Sequence, residues 1–267
     1  MNGKHYIIDA HCHCYPDAIA DKAAKAIANF YFGSSACVGS ASEIKKEQDK
    51  GGISLSLIQS AATSPHQVKS INEFIAKTVA DSPERFVGFG TLHPDSENTE
   101  EELAHLLELG LKGVKIHNDF IRVAVDDSRM SRIYSACADA GIPILLHTGD
   151  KRYDFTNPDR MARVLKNNPK LQFIGAHLAG WSVWEEAGEK LADFENLIVD
   201  CSSCTTFMES ELCVRMIRRF GSHRVMFGSD FPYHSPAAEV ERFLALDLTD
   251  GEKSAILGEN AKRLLRL

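Results

Sequence analysis

The chain has 267 residues, 44% of them hydrophobic and 25% charged, a balance that excludes a disordered or fibrous polymer and supports a large buried core. Lys and Arg number 30 against 37 Asp and Glu, a formal charge of −7, and no dense basic run is present to follow a phosphate backbone, so nucleic acid is excluded as an expected partner. Residues Met1 to His13 lack the pattern of a signal peptide, and no apolar run approaches the ~20 residues of a membrane span. A soluble, cytoplasmic protein without a membrane partner is expected. The seven cysteines are an odd number, and Cys201-x-x-Cys204 lacks the second pair that a structural zinc site needs, so free thiols are expected.

In chain order, eight short apolar runs recur: Tyr6 to Ala10, Ile53 to Ile58, Phe86 to Leu92, Gly113 to Ile116, Ile142 to Leu146, Leu171 to Ile174, Leu197 to Val199 and Val225 to Phe227. From the second onward their starts lie 26 to 33 residues apart, the size of one strand-plus-helix unit. Several are continuously apolar, as parallel strands buried on both faces are. Between them, Thr99 with Glu102 three residues on predicts a capping box that opens a helix ending at Gly110. Further helices are predicted over Val68 to Ala80, Ser128 to Ala140, Asp159 to Asn167, Val183 to Ala192, Glu209 to Phe220 and Ala237 to Leu246. Eight such units close most simply into a single-domain (β/α)8 TIM barrel over residues 1–267, although an open doubly wound sheet has the same alternation. The gap from Tyr15 to Gly52 is too long for one loop and helix, and Asn29 to Ser42 is predicted as a loop insertion after strand 1, near the site.

Histidines and aspartates stand at the C-terminal ends of these runs, where barrel active sites lie. The first run ends Asp9-Ala10-His11-Cys12-His13, and a period of two places Asp9, His11 and His13 on one face. His147, His177 and Asp230 end the fifth, sixth and eighth runs. Nitrogen and carboxylate groups converging from separate strands are what a divalent Zn, Mn or Fe site requires.

In order and spacing, Asp9 to His13, Gly113-Val114-Lys115-Ile116-His117, His147-Thr148-Gly149, Ala176-His177-Leu178-Ala179-Gly180, Gly228-Ser229-Asp230-Phe231-Pro232 and Gly258 to Leu264 resemble the amidohydrolase superfamily. Within it, the chain is similar to the amidohydrolase-2 group that includes aminocarboxymuconate-semialdehyde decarboxylase. The resemblance implies that His11, His13, His147 and Asp230 hold the metal, with His177 beside it as the acid/base. It also raises Lys115 as a carboxylated bridge between two ions. One ion is expected, most simply zinc, with manganese or iron as alternatives. Such an ion lowers the pKa of a bound water to about 7, and Asp230 can take the water's proton while His177 passes a proton or supports an oxyanion. Asp9 is placed to orient a ligand imidazole.

Lys115, His117, Arg152 and Trp181 are the candidate substrate-binding residues, with Arg122 and Tyr153 in neighbouring loops and His93 read as structural or as a support behind the site residues. The expected activity is metal-dependent hydrolysis of a small carboxylated amide, lactone or ester. The alternative is non-oxidative decarboxylation, a lyase reaction, of a small unsaturated or aromatic acid at the same ion. The substrate is expected to be a small anion, and a homodimer stays open.

Overall fold

The apolar runs become strands, each followed by helical structure, in a computed structural model that describes residues 5–267. β1 (Ile7–His13) leads into α1 (Asp17–Phe30) and α2 (Ala41–Gly51), and β2 (Ile53–Gln59) precedes α3 (Val68–Ala80). β3 (Phe86–Gly88), α4 (Thr99–Glu108), β4 (Val114–Ile116), α5 (Asn118–Ile121) and α6 (Met130–Ala140) follow. Next come β5 (Ile144–Leu146), α7 (Pro158–Asn167), β6 (Phe173–Gly175), α8 (Trp184–Leu191) and β7 (Leu197–Asp200). The chain finishes with α9 (Cys204–Phe207), α10 (Ser210–Phe220), β8 (Val225–Met226), α11 (Pro236–Leu244), α12 (Asp250–Ser254), a π-helical turn over Ala255–Glu259, and α13 (Asn260–Leu265).

All strand pairs are parallel: β1 to β3 form one run and β4 to β8 another. Two seams close the ring. Lys115 N donates to Gly90 O at 2.7 Å between β3 and β4, and Ala10 N donates to Phe227 O at 2.8 Å between β8 and β1. The fold is a (β/α)8 barrel. The long first gap holds two helices with residues 31–40 looping between them, so the predicted insertion is present but its first two residues belong to α1 and its last two to α2.

The core has two layers. Alternate strand residues such as Val114, Ile116, Ile144, Leu146 and Val199 pack outward with helix residues such as Ile133 and Leu165. Ile8, Ala10, Leu57, Phe89, Leu145, Ile174 and Met226 fill the barrel's lower interior, and Ala261 and Leu265 of α13 close it from beneath. Gly113 makes room there, since a Cβ at this position would lie 2.6 Å from the Phe89 ring. The capping box predicted at Thr99 does not form. Asn98 holds the cap position with no side-chain bond, and the helix opens instead on Glu100, Glu101 and Glu102, whose charges suit its N-terminal dipole. The box that does form is Thr249 with Glu252 at α12. All seven cysteines are free, and among the described residues no helix is long and apolar enough to cross a membrane.

Candidate functional site

A bulge in β1 creates the polar mouth. Asp9 pairs with Ser56 and Cys12 with Ile58, so β1 carries one extra residue and its alternation reverses. Ile8 and Ala10 face the interior below the bulge, whereas above it Cys12 packs outward and His11 and His13 turn inward, with ring centroids 5.2 Å apart. Asp9 therefore does not share their face as a simple period of two predicts. Its Oδ1 accepts from the backbone N–H of His11 at 3.2 Å and of Ser229 at 2.9 Å, and it touches no imidazole. Burial pushes its carboxyl up to about 6.

Asp230 arrives from the loop after β8 with a left-handed backbone, φ +62°, and its N–H donates to His11 O at 2.9 Å. Its Oδ1 lies 3.5 Å from His11 Nε2 and 3.6 Å from His13 Nε2. Two ligands each ~2.1 Å from one ion at a tetrahedral angle are about 3.4 Å apart, so these three atoms fit a shared divalent cation. Their protonation fits as well. Burial lowers the pKa of His13 and takes that of His11 down to about 4, leaving neutral imidazoles. Burial opposes ionisation of Asp230, but His177, His13 and His11 outweigh it and hold the carboxyl well below its usual range.

Asp200, at the end of β7, orients this group. His11 Nδ1–H donates to Asp200 Oδ2 at 2.9 Å, which leaves Nε2 bare towards Asp230. Ser202 donates to Asp200 Oδ1, and burial of that carboxyl is outweighed by His11 and His177, which keep it ionised. The orienting role expected of Asp9 is therefore filled by Asp200. The signal was present in the sequence: Asp200 follows Ile198 by two, on the interior face of the seventh run.

His147 lines the same cavity as Asp230 and His177, yet it does not come within 4.8 Å of all three atoms of the His11, His13 and Asp230 group. Its ring stacks on His117 with centroids 4.1 Å apart. A directed chain of hydrogen bonds holds it. His177 Nδ1–H donates to Ser202 O at 3.0 Å, so its Nε2 accepts from His147 Nδ1–H at 3.2 Å. His147 Nε2 then accepts from the Tyr31 hydroxyl at 3.2 Å, and the Tyr31 oxygen accepts from His117 Nε2–H at 2.9 Å. Asp119 Oδ2 lies 3.6 Å from the same His147 nitrogen, and His147, Asp119 and Asp150 form a second cluster of candidate ligand atoms. Burial, with help from Asp150, pushes the Asp119 carboxyl up to about 8.

Of the candidate substrate-binding residues, Trp181 lines the cavity together with Tyr31, His147, His177, Ser203, Asp230 and Tyr233. Lys115 lies deeper, fully buried, with Nζ 3.4 Å from His11 Nε2, and burial takes its pKa down to about 8. His117 meets Tyr31 instead of open space. Arg152 is clamped by both oxygens of Asp150 and donates to Phe30 O at 2.6 Å, so its charge is already neutralised. Tyr31 sits inside the insertion flagged from sequence, but nothing in its residue type distinguished it there. Gly149, at φ +84°, lets the β5 loop reach Trp181: a Cβ there would lie 2.5 Å from Trp181 N.

The amidohydrolase family profile matches residues 8–267. The chain belongs to the amidohydrolase family. It is accordingly an enzyme. The chain is 31% identical over 93 residues to 2-amino-3-carboxymuconate-6-semialdehyde decarboxylase of Dictyostelium discoideum, a stretch covering 34% of this chain and 25% of that relative's length. An uncharacterized TIM-barrel protein from Bordetella bronchiseptica superposes with a TM-score of 0.81 at 21% identity, covering 98% of each chain. A 5-carboxyvanillate decarboxylase from Novosphingobium aromaticivorans, complexed with manganese and 4-hydroxy-3-methoxy-5-nitrobenzoic acid, superposes with a TM-score of 0.75 at 19% identity, covering 98% of this chain and 96% of that one. At such identities the two structures establish the fold. The two relatives named for an activity are both named as decarboxylases, not as hydrolases.

Proposed function

We propose that this amidohydrolase is a metal-dependent decarboxylase of a small aromatic or unsaturated carboxylic acid. The observation that carries the reading is the 31% identity to a named decarboxylase, and the cavity beside Asp230 is lined largely by aromatic side chains. Tyr31, Trp181 and Tyr233 wall it with aromatic rings, and it encloses about 10 Å³, room for one water molecule.

His11 and His13 through Nε2 and Asp230 through Oδ1 would hold one divalent ion in this reading, with His147 on the adjoining wall, its Nε2 engaged by the Tyr31 hydroxyl. Nitrogen and carboxylate donors suit zinc or manganese alike. When bound, the ion supplies positive charge that binds a substrate oxygen and draws charge from the carbon losing its carboxylate. Asp200 keeps His11 in the correct tautomer, and Ser203 donates to Asp230 Oδ2 at 2.9 Å, fixing that carboxylate's plane. His177 accepts from His147 at Nε2 while Ser202 O holds Nδ1–H; once Nε2 has taken up a proton from solvent, His177 is placed to deliver it to the carbon that loses the carboxylate. The bond from carbon to the carboxyl group breaks, CO2 leaves, and its electron pair forms the new C–H bond.

The test is a product assay on protein loaded with zinc or manganese, using 5-carboxyvanillate and 2,6-dihydroxybenzoate beside a panel of lactones, amides and esters. One CO2 released per acid consumed is expected. Turnover of the esters, amides or lactones without CO2 release from any acid would return the assignment to hydrolysis.

A further inference from the structure

A site for an aromatic acid needs more room than this cavity offers, since ligand pockets ordinarily run to roughly 300–1,000 Å³. The obstacle is one ring. Tyr31 follows the last residue of α1, and its phenol lies between His117 and His147 with its ring edge-on to Trp181 at 5.8 Å and to Tyr233 at 6.3 Å. Its hydroxyl accepts from one imidazole and donates to the other, a pairing that a hydroxyl group on a ligand reproduces atom for atom.

The segment carrying Tyr31 is held from outside. The Arg152 guanidinium lies 4.9 Å from the Phe30 ring, 5.1 Å from Tyr31 and 5.5 Å from Phe32, and it donates to Phe30 O. Beyond it the turn is bonded back onto α1, with Phe32 N donating to Asn29 O at 3.2 Å and Gly33 N to Ala28 O at 2.9 Å, so Tyr31 moves with the end of that helix. Phe32 has a left-handed backbone, φ +56°, and an 86% exposed side chain. Hydrogen bonds to the loop after β8 begin at Ser35, whose hydroxyl donates to Pro232 O at 2.7 Å, followed by Ala36 N to Tyr233 O at 3.1 Å.

We propose that Tyr31 is a gate whose phenol occupies the place of a substrate hydroxyl, so that an incoming hydroxylated aromatic acid must displace it, with Arg152 as the latch. This rests on the aromatic-acid reading above for the identity of the ligand, but not for the closure itself. Removing the hydroxyl leaves His117 and His147 without their partner in the closed state, and both become open to a ligand.

The experiment compares the unaltered protein with Tyr31→Phe and Arg152→Met in two measurements. Acrylamide quenching of tryptophan emission, without ligand, reads access to the cavity; a rise in both variants is expected, abolished when Trp181→Phe is added. Binding of 2,6-dihydroxybenzoate to Tyr31→Phe is expected to tighten roughly tenfold, the scale of two neutral hydrogen bonds no longer broken on entry. Arg152→Met shifts both in the same direction by less, and carries the test if Tyr31→Phe does not fold. Unchanged quenching in the variants, or a tenfold fall in kcat with KM unchanged in Tyr31→Phe, overturns the gate and makes Tyr31 a fixed substrate contact. No binding by any of the proteins overturns the aromatic-acid reading, while quenching still decides whether Tyr31 closes the cavity.

Discussion

At the lower end of the barrel, Ile8, Leu57, Phe89, Leu145, Ile174 and Met226 interdigitate with no polar atom among their side chains. At the mouth, a few residues further along the same strands, His177, Leu178, Ala179, Ser203 and Asp230 take left-handed backbones. Each costs about 1–2 kcal/mol in a non-glycine residue. Asp119 there is 2% exposed with both oxygens unpartnered, and His13 Nδ1 and His117 Nδ1 are buried without partners. Such groups cost about 1–3 kcal/mol apiece. The contrast teaches that one end supplies the stability that lets the other hold polar groups where a ligand can meet them.

The contrast can be broken from either end. The largest effect is expected at the mouth: His13→Ala should take the metal content of the purified protein from near one equivalent to near zero and turnover to background, while thermal stability of the metal-free protein stays the same or rises. A structural role for His13 predicts the reverse pattern. At the lower end, Phe89→Ala should cost about 3–5 kcal/mol in denaturant unfolding, with turnover per folded molecule unchanged; a matching loss of turnover would show that the two ends are not separable.

Smaller effects sharpen the mouth. His177→Asn should lower kcat by roughly 10²-fold or more with metal content intact, the range of a lost acid/base, and unchanged turnover would remove His177 from the mechanism. Asp200→Asn should weaken metal affinity by about 10–100-fold, the usual effect of losing the carboxylate behind a ligand imidazole. Titration with a competing chelator reads it directly.

The smallest effect lies back at the lower end. Hydrogen bonds from Arg218 and the Thr249 backbone bring the Glu252 carboxyl down to about 2 from 4.5. A depressed folded-state pKa stabilises above pH ~4.5 and is lost as the pH falls towards 2. Glu252→Gln should therefore lower the unfolding midpoint slightly at pH 7, by under about 1 kcal/mol for so exposed a pair, with the difference closing near pH 2. A constant difference across that range would mean that the cap matters through its geometry alone.

The barrel was legible in the sequence because its physics is local and repetitive. Eight apolar runs at nearly even spacing, with helix punctuation between them, leave few ways to bury both faces of a parallel sheet, and β2 and α3 begin where the pattern places them. The strand-end histidines and Asp230 were legible for the same reason, since a barrel places strand ends at one mouth. What only the tertiary structure decided is how those groups are divided. A one-residue bulge moved Asp9 off the face of His11 and His13, because an extra residue reverses the alternation and no residue type announces it. Asp200 became the partner of His11 from 189 residues away. Tyr31 entered between two imidazoles because a loop between α1 and α2 folds over the mouth, a placement fixed by Arg152, Pro232 and Tyr233 from other units of the barrel. Periodicity reports which face of an element is buried; it carries no record of which side chains from distant elements then meet across it.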